Sequence, residues 1–228
     1  TAFCLLPTLL FLGLFYFYPL ASILRLGLAP DGRLDFSPLA SLGDAYLYRL
    51  LGFTVWQAAL STVLTLLAGL PGAYLVARYQ FRGKGLLRAL AGVPVVMPAL
   101  VVAAAFNALL GPRGWANLGL MALFHLDAPP LALTGTLGAI LLAHVFYNTT
   151  IVLRLVGDFW SHLDPRLVGA ARVLGADRFR AFISVTLPLL APALLAAALL
   201  VFIFDFSSFG VLLVLGGPQF STLETEIY

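Results

Sequence analysis

Residues 169–188 read GAARVLGADRFRAFISVTLP, from Gly169 to Pro188, a short basic island with a long uncharged apolar stretch on either side. Upstream, no charged residue occurs from Ala128 to Leu153; downstream, none occurs from Ala181 to Phe204. Both stretches exceed the roughly 18–20 residues that a helix needs to cross a hydrocarbon core. Working outward, three more uncharged intervals of the same kind appear: Thr1 to Leu24, Leu50 to Ala77 and Ala89 to Pro112. The last span is expected to continue past Asp205 as far as Leu223. These intervals predict an all-α integral membrane protein, a polytopic helical bundle with five spans. Residues 1–228 then form one transmembrane domain with no soluble domain, and residues 164–188 form a loop on one side.

Composition agrees with that solvent. Hydrophobic residues make up 61% and charged residues 10%, against roughly 45–50% and 25% in soluble domains. A net charge of +3 is too small to point to nucleic acid. The single cysteine, Cys4, sits in an apolar run with no partner, so it is a packing residue and no disulfide framework is possible. The first span is too long for a signal-peptide core and lacks a basic leader, so no cleavage is expected. The absence of an initiator methionine is read as a trimmed N-terminus.

The basic residues set the direction of threading. Arg78, Arg82, Lys84 and Arg88 lie between spans two and three, and Arg154, Arg166, Arg172, Arg178 and Arg180 between spans four and five. Those nine, of thirteen in all, mark two alternate loops. The loops 78–88 and 157–188 and the N-terminus are therefore expected in the cytoplasm of a multi-pass cell-membrane protein. The loop from Arg25 to Arg49, the Arg113 to Asp127 segment and the tail with Glu224 and Glu226 are expected outside. Five spans end on the opposite side from the start, so a sixth is expected beyond Tyr228.

The 164–188 loop has the local chemistry of a short helix pair. Asp164 is an N-cap residue, and Pro165 at the first helical position forfeits no needed hydrogen bond. A helix from Arg166 to Leu174 follows, and Gly175 suits the left-handed cap. Ala170 and Ala171 keep this helix slim enough to enter a groove. Asp177 is placed to cap a second turn carrying Phe179, Phe182 and Ile183, and Leu187-Pro188 is expected to open the fifth span. Considered alone, the segment could also be an ordinary connector between two spans.

The pattern resembles the cytoplasmic EAA loop of permeases from binding-protein-dependent ABC importers, E-A-A-x3-G-x9-I-x-L-P. Ala170, Ala171, Gly175, Leu187 and Pro188 fall in register; Gly169 stands where the family has an acid and Val185 where it has isoleucine. Phe53 to Tyr79, Ala139 to Asn148 and Leu215 to Tyr228 look like the iron(III) and thiamine branch, whose permeases often join two six-span halves. The resemblance covers the chain from Phe53 onward and implies an N-terminal permease half. It further implies an ATP-binding subunit inside, a substrate-binding protein outside, a second permease half and a bundle in contact with membrane lipid. It implies that ATPase motion is received through Asp164, Pro165, Leu167, Gly169, Ala170, Ala171, Leu174, Gly175, Leu187 and Pro188. Iron(III) or thiamine would then move by alternating access.

No catalytic residue, metal site or cofactor is expected on this chain; ATP and magnesium belong to the partner subunit. Gly83-Lys84 lacks both an upstream glycine at P-loop spacing and a following Ser or Thr, and HExxH, CxxC and nucleophile-elbow motifs are absent.

Polar residues inside spans mark candidate pathway positions. Asp205 lies about 26 Å along the fifth helix from Pro188, at a depth where a carboxylate must face the bundle interior or water. Ser208, three residues on, would share its face. His144, Tyr147 and Asn148 lie at i, i+3 and i+4 on span four. A pathway through Asp205, Ser208, His144 and Asn148 is one reading; a carboxylate satisfied by hydroxyls and interhelical hydrogen bonds is the other. On span two, Thr54, Gln57, Ser61 and Thr65, extended by Gly69 and Gly72, form a stripe suited to close helix packing. Pro94 and Pro98 should bend span three, and Pro71 the end of span two. Trp115 opens an apolar segment too short to cross, an interfacial anchor; the resemblance implies that this segment and the 33–48 loop are candidate docking surfaces for a binding protein, the other reading of both being membrane-surface structure. Two rivals remain: half of an ion-coupled secondary transporter using Asp205, and a membrane scaffold that would need no coupling loop.

Overall fold

The computed structural model describes residues 2–29, 36 and 43–227. Arg33 and most of the expected 33–48 docking loop, with Thr1 and Tyr228, lie outside the described residues. Among these every regular element is helical. The chain divides into two units, residues 1–49 and 50–228.

In the first unit, α1 (Ala2–Leu12) and α2 (Tyr18–Leu28) are joined by a π-helical turn at Gly13–Phe17. The Tyr18 N–H bonds the Gly13 carbonyl, five residues back. The cause is Pro19, which has no N–H and whose ring crowds the carbonyl four residues earlier; a widened turn relieves both faults. The first unit ends with the opening turn of α3 (Ala45–Arg78), an unbroken helix of 34 residues that passes through Pro71 without interruption.

The second unit carries the rest: α4 (Lys84–Val96), α5 (Ala99–Leu110), α6 (Trp115–Phe124), α7 (Leu137–His162), α8 (Pro165–Val173) and α9 (Arg178–Phe206). A short α10 (Phe209–Val211) runs into a π turn at Leu212–Gly216, and α11 (Leu223–Ile227) follows.

Its polarity is inverted relative to a water-soluble domain. On α3, Thr54, Gln57, Ser61 and Thr65 are fully buried while Val55, Trp56, Val63 and Leu67 are exposed. On α9, Leu190, Ala193, Ala197, Val201 and Asp205 form the buried stripe, and Leu195, Leu199 and Ile203 point outward. Polar groups inside and branched apolar ones outside is the arrangement that hydrocarbon solvent favours.

The expected spans hold in number but change in outline. Among the described residues five helical stretches are long and apolar enough to cross a membrane, with α3, α7 and α9 among them. The stretch Ala99–Phe124 also qualifies, but it turns at residues 111–114, and α6 packs against α5. The expected third span is covered by α4 and α5, which break at Met97 and Pro98 in extended backbone. α4 runs antiparallel to α7: Arg88 pairs with Asp158 at 3.3 Å, the Thr150 hydroxyl donates to the Ala91 carbonyl, and the Tyr147 hydroxyl donates to the Met97 carbonyl at 3.3 Å. Pro98 therefore breaks the span where only a bend was expected, whereas Pro94 lies buried within α4.

Three boundaries are corrected. The fourth helix starts at Leu137, where the Thr136 side chain accepts from the Ala139 N–H; residues 128–136 are not helical. The fifth helix begins at Arg178, so Leu187-Pro188 does not open it. Those residues sit inside α9 just after a π turn at Phe182–Thr186, with the Leu187 N–H on the Phe182 carbonyl. Pro188 forces that turn for the same reason as Pro19. Finally, the fifth span does not continue to Leu223: it stops at Phe206, and Ser207 and Ser208 leave the helical conformation.

The segment after that break still follows α7 outward. Ala103 of α5 joins Ala139, Ile140 and Ala143 of α7 and Val211, Leu212 and Leu215 in one apolar cluster. The Gly135 N–H donates to the Leu215 carbonyl at 2.9 Å.

The α6 segment is anchored by a residue that carried no signal in the sequence. The Asn117 amide, fully buried, donates to the carbonyls of Gly111 and Leu131 and accepts from the Leu131 N–H. Asn117→Ala strands those groups at about 1–3 kcal/mol for each one left unsatisfied. The melting temperature of the detergent-solubilised protein is expected to fall by several degrees; an unchanged value would show that the clamp is unnecessary.

Candidate functional site

Two places in the second unit collect the residues singled out from sequence. The first is the loop between α7 and α9. The Asp164 carboxylate accepts from the Arg166 N–H at 2.9 Å, and Pro165 is the first residue of α8. The helix closes in a Schellman arrangement: the Gly175 N–H bonds the Arg172 carbonyl and the Ala176 N–H bonds the Ala171 carbonyl. Gly175 has φ +92°, the left-handed conformation that glycine adopts most readily. Asp177 then caps α9, accepting from the Arg180 N–H at 2.8 Å.

The result is a small knob capped at both ends. Val173 and Leu174 at its tip are each 88% exposed, and Leu167 and Phe179 are also exposed. Gly169 faces open space, with nothing within 4 Å of where a Cβ would stand; the missing acid leaves no gap in this chain's own packing. Asp164, Pro165, Leu167, Gly169, Ala170, Ala171, Leu174 and Gly175 are brought together. Leu187 and Pro188 are not: they lie about 14 Å along α9 from its start. Val173 is a tip residue that the motif did not single out; no charge or turn signal marks it.

The knob is tied to the helix ends beneath it. The Arg78 guanidinium at the end of α3 donates to the Leu163 carbonyl at 3.2 Å. Between them lies a cavity of ≈ 740 Å³ lined by Tyr74, Tyr79, Trp160, Arg172, Arg178 and Phe182 among others. Together with the Arg88–Asp158 pair, this puts the 78–88 loop and the α7–α9 loop at one end of the bundle.

The second place is a buried polar cluster. Asp205, fully buried on α9, accepts from the Asn148 amide at 2.7 Å. His144, one turn before Asn148 on α7, has Nδ1 3.5 Å from the same carboxylate and Nε2 2.7 Å from the Ser208 hydroxyl. All four candidate pathway residues therefore meet. Ser208 arrives by a different route from the one expected, because the helix has ended at Phe206 and the break turns it onto His144.

Gln57 also belongs here, its amide donating to the Asp205 carbonyl at 2.9 Å. Sequence reasoning placed it in a packing stripe, since its partner is 148 residues away. The packing expectation does hold for the glycines: a Cβ on Gly69 would stand 2.7 Å from that of Val152, and one on Gly72 would stand 2.6 Å from a Leu153 methyl. No group of three His, Cys, Asp or Glu gathers among the described residues.

The sequence profile described as "Binding-protein-dependent transport system inner membrane component" matches residues 69–227. Over 188 residues the chain is 33% identical to the thiamine transport system permease protein ThiP of Brucella abortus, a match covering 81% of this chain and 34% of that protein. It is 27% identical to the putative 2-aminoethylphosphonate transport system permease protein PhnU of Salmonella paratyphi A, over 98% of this chain and 78% of that one. The chain thus spans about a third of the thiamine permease's length and most of the second relative's. In fold it superposes on a bacterial alginate ABC transporter, solved in complex with alginate pentasaccharide-bound periplasmic protein, with a TM-score of 0.73. That match has 18% identity and covers 99% of this chain and 80% of that one.

Proposed function

This chain belongs to the family of inner membrane components of binding-protein-dependent transport systems, and from that premise we propose that it forms a permease half of an ATP-driven importer. Substrate is delivered by a binding protein outside, ATP is bound and hydrolysed with magnesium by a separate subunit inside, and a second permease half completes the pathway. The chain itself performs no chemistry. The observation that carries the coupling role is the capped knob at Asp164–Gly175, with Val173 and Leu174 bare at its tip. Apolar side chains held rigidly at the end of a helix fit a groove on a partner, because little ordering entropy remains to be lost on docking.

ATP binding on the partner moves the knob. Arg78 on Leu163 and Trp160 beneath α8 transmit that displacement to α3 and α7, and alternating access follows as the spans reorient. The positive loops at one end support a cytoplasmic assignment for that end and for the N-terminus. The relatives' names favour thiamine as cargo over iron(III), and the Asp205, Asn148, His144 and Ser208 cluster is the pathway candidate.

The test is uptake of radiolabelled thiamine into proteoliposomes holding the full-length permease, its ATPase subunit and its binding protein. Uptake should require ATP inside and binding protein outside. Uptake driven by an ion gradient without ATP would reject the importer and favour an ion-coupled carrier. ATP hydrolysis stimulated by the binding protein without thiamine uptake would reject only the cargo.

A further inference from the structure

The Asp205 cluster is buried but only partly hydrogen-bonded. Within it Asp205 Oδ2, Asn148 Oδ1 and Gln57 Oε1 are buried with no hydrogen-bond partner, and so are Ser61 Oγ and His144 Nδ1, the two groups there that can donate. The amide hydrogens that reach Asp205 go to its Oδ1 and to its backbone carbonyl. Among the described residues no lysine or arginine pairs with it, and the one basic side chain at hand is His144, with Nδ1 3.5 Å from Oδ1 and its other nitrogen already on Ser208. A fully buried carboxylate left in this state inside a helical bundle lacks a positive charge.

Beside it is a cavity that can supply one. A space of ≈ 200 Å³ is lined by His144, Tyr147, Asn148, Asp205, Ser207 and Ser208, with Phe204 and Ala99 among the other walls. It exists because α9 stops at Phe206: the non-helical Ser207–Ser208 joint opposite the α4–α5 break leaves room that two continuous helices would fill. Phe204 and Ser207 are exposed, so the space reaches the bundle surface there. Its volume is several times the ~30 Å³ share of a liquid water and below the ~300 Å³ of a drug-sized pocket. A monovalent metal ion with part of its hydration shell fits, and so does the charged ring of a small organic cation. Tyr147 and Phe204 are among the aromatic residues of its lining, the kind that such a cation favours. A multivalent transition metal does not fit, since Asp205 and His144 are the only strong ligands.

We propose that this cavity at the α9 break is a cation-binding subsite, with Asp205 as the counter-charge and Asn148 and Ser208 as its polar walls. Its role in transport rests on the importer reading above, and thiamine carries the fixed positive charge such a site would select. The site itself rests on the buried Asp205 carboxylate and the cavity beside it.

Thermal unfolding of the purified full-length protein in detergent tests it, at constant ionic strength, with thiamine, with sodium chloride and with N-methylglucamine chloride as the bulky reference. In the wild type the midpoint should rise saturably with thiamine or with sodium, the responding arm identifying the source of the cation. Asp205→Asn, which keeps the shape and removes the charge, should raise the half-saturating concentration by at least ~10-fold. A wild type that responds to neither cation overturns the proposal, as does an equal response in Asp205→Asn. Should that variant not fold, Asp205→Glu keeps the charge and moves it outward; an unaltered half-saturation there likewise overturns the site. Thiamine uptake is read separately: no uptake with the shift intact rejects the cargo alone, and uptake without any shift rejects the subsite alone.

Discussion

Gly175→Trp is expected to cut ATP-driven uptake by at least ~30-fold and to abolish co-purification with the ATPase subunit, with membrane insertion and yield unchanged. The backbone at this position has φ +92°, so any side chain costs roughly 1 kcal/mol through the left-handed conformation. That cost is small and local, because a Cβ there meets nothing within 4 Å in this chain. The damage falls on whatever lies against the knob. A bulky ring next to the bare Leu174 tip blocks a complementary groove, and losing a well-packed anchor costs about 2 kcal/mol or more in an interface. Gly175→Ala separates the two effects, since it shares the backbone cost without the bulk, and should lose only a few-fold. Equal capture of the ATPase by wild type and Gly175→Trp would remove the coupling role from this loop.

Gly69→Leu should have the opposite signature, losing the fold and with it everything downstream. A Cβ at this position would stand 2.7 Å from Val152 Cβ and 2.8 Å from its Cγ1, distances that force α3 and α7 apart. Inserting atoms into such a contact costs about 1–3 kcal/mol even where neighbours adjust, and here the obstacle is a β-branched side chain with a stiff rotamer. Separating the helices also loosens Gly157 from Ala73 further along the same seam. Monodisperse yield in detergent should collapse, or the melting temperature fall by many degrees. Gly52→Leu, on the same helix but facing open space, should behave as wild type. Gly69→Ala combined with Val152→Ala should recover part of the loss, a coupling expected only for residues in direct contact. If Gly52→Leu and Gly69→Leu are equally damaging, the seam is not what holds these helices.

Much of this was visible in the chain itself. Absence of charge over more than twenty residues leaves a segment nowhere but hydrocarbon, so the spans and their number follow from composition. Asp164, Pro165, Gly175 and Asp177 also behave as their local chemistry dictates, because capping and left-handed turns involve neighbours within four residues. The departures have non-local or competing causes. Leu187-Pro188 looked like a helix start, yet α9 already runs from Arg178 and accommodates the proline with a π turn. Ser208 looked like the next turn of α9, yet the helix stops two residues before it, and its place is taken by a bond to His144, 64 residues earlier.

By itself, then, the sequence determined the apolar, all-helical character, the presence of five membrane-length helical stretches, the end of the bundle that carries the basic loops and the capped knob at Asp164–Gly175. Each of these depends on hydropathy or on hydrogen bonds between near neighbours. Only the tertiary structure decided that Gln57, His144, Asn148 and Asp205 face one another, that Asn117 pins the 111–131 turn, and that a cavity opens where α9 breaks. Apolar lipid gives helices little reason to prefer one face over another; which polar groups meet is settled by packing of small residues such as Gly69 against distant parts of the chain.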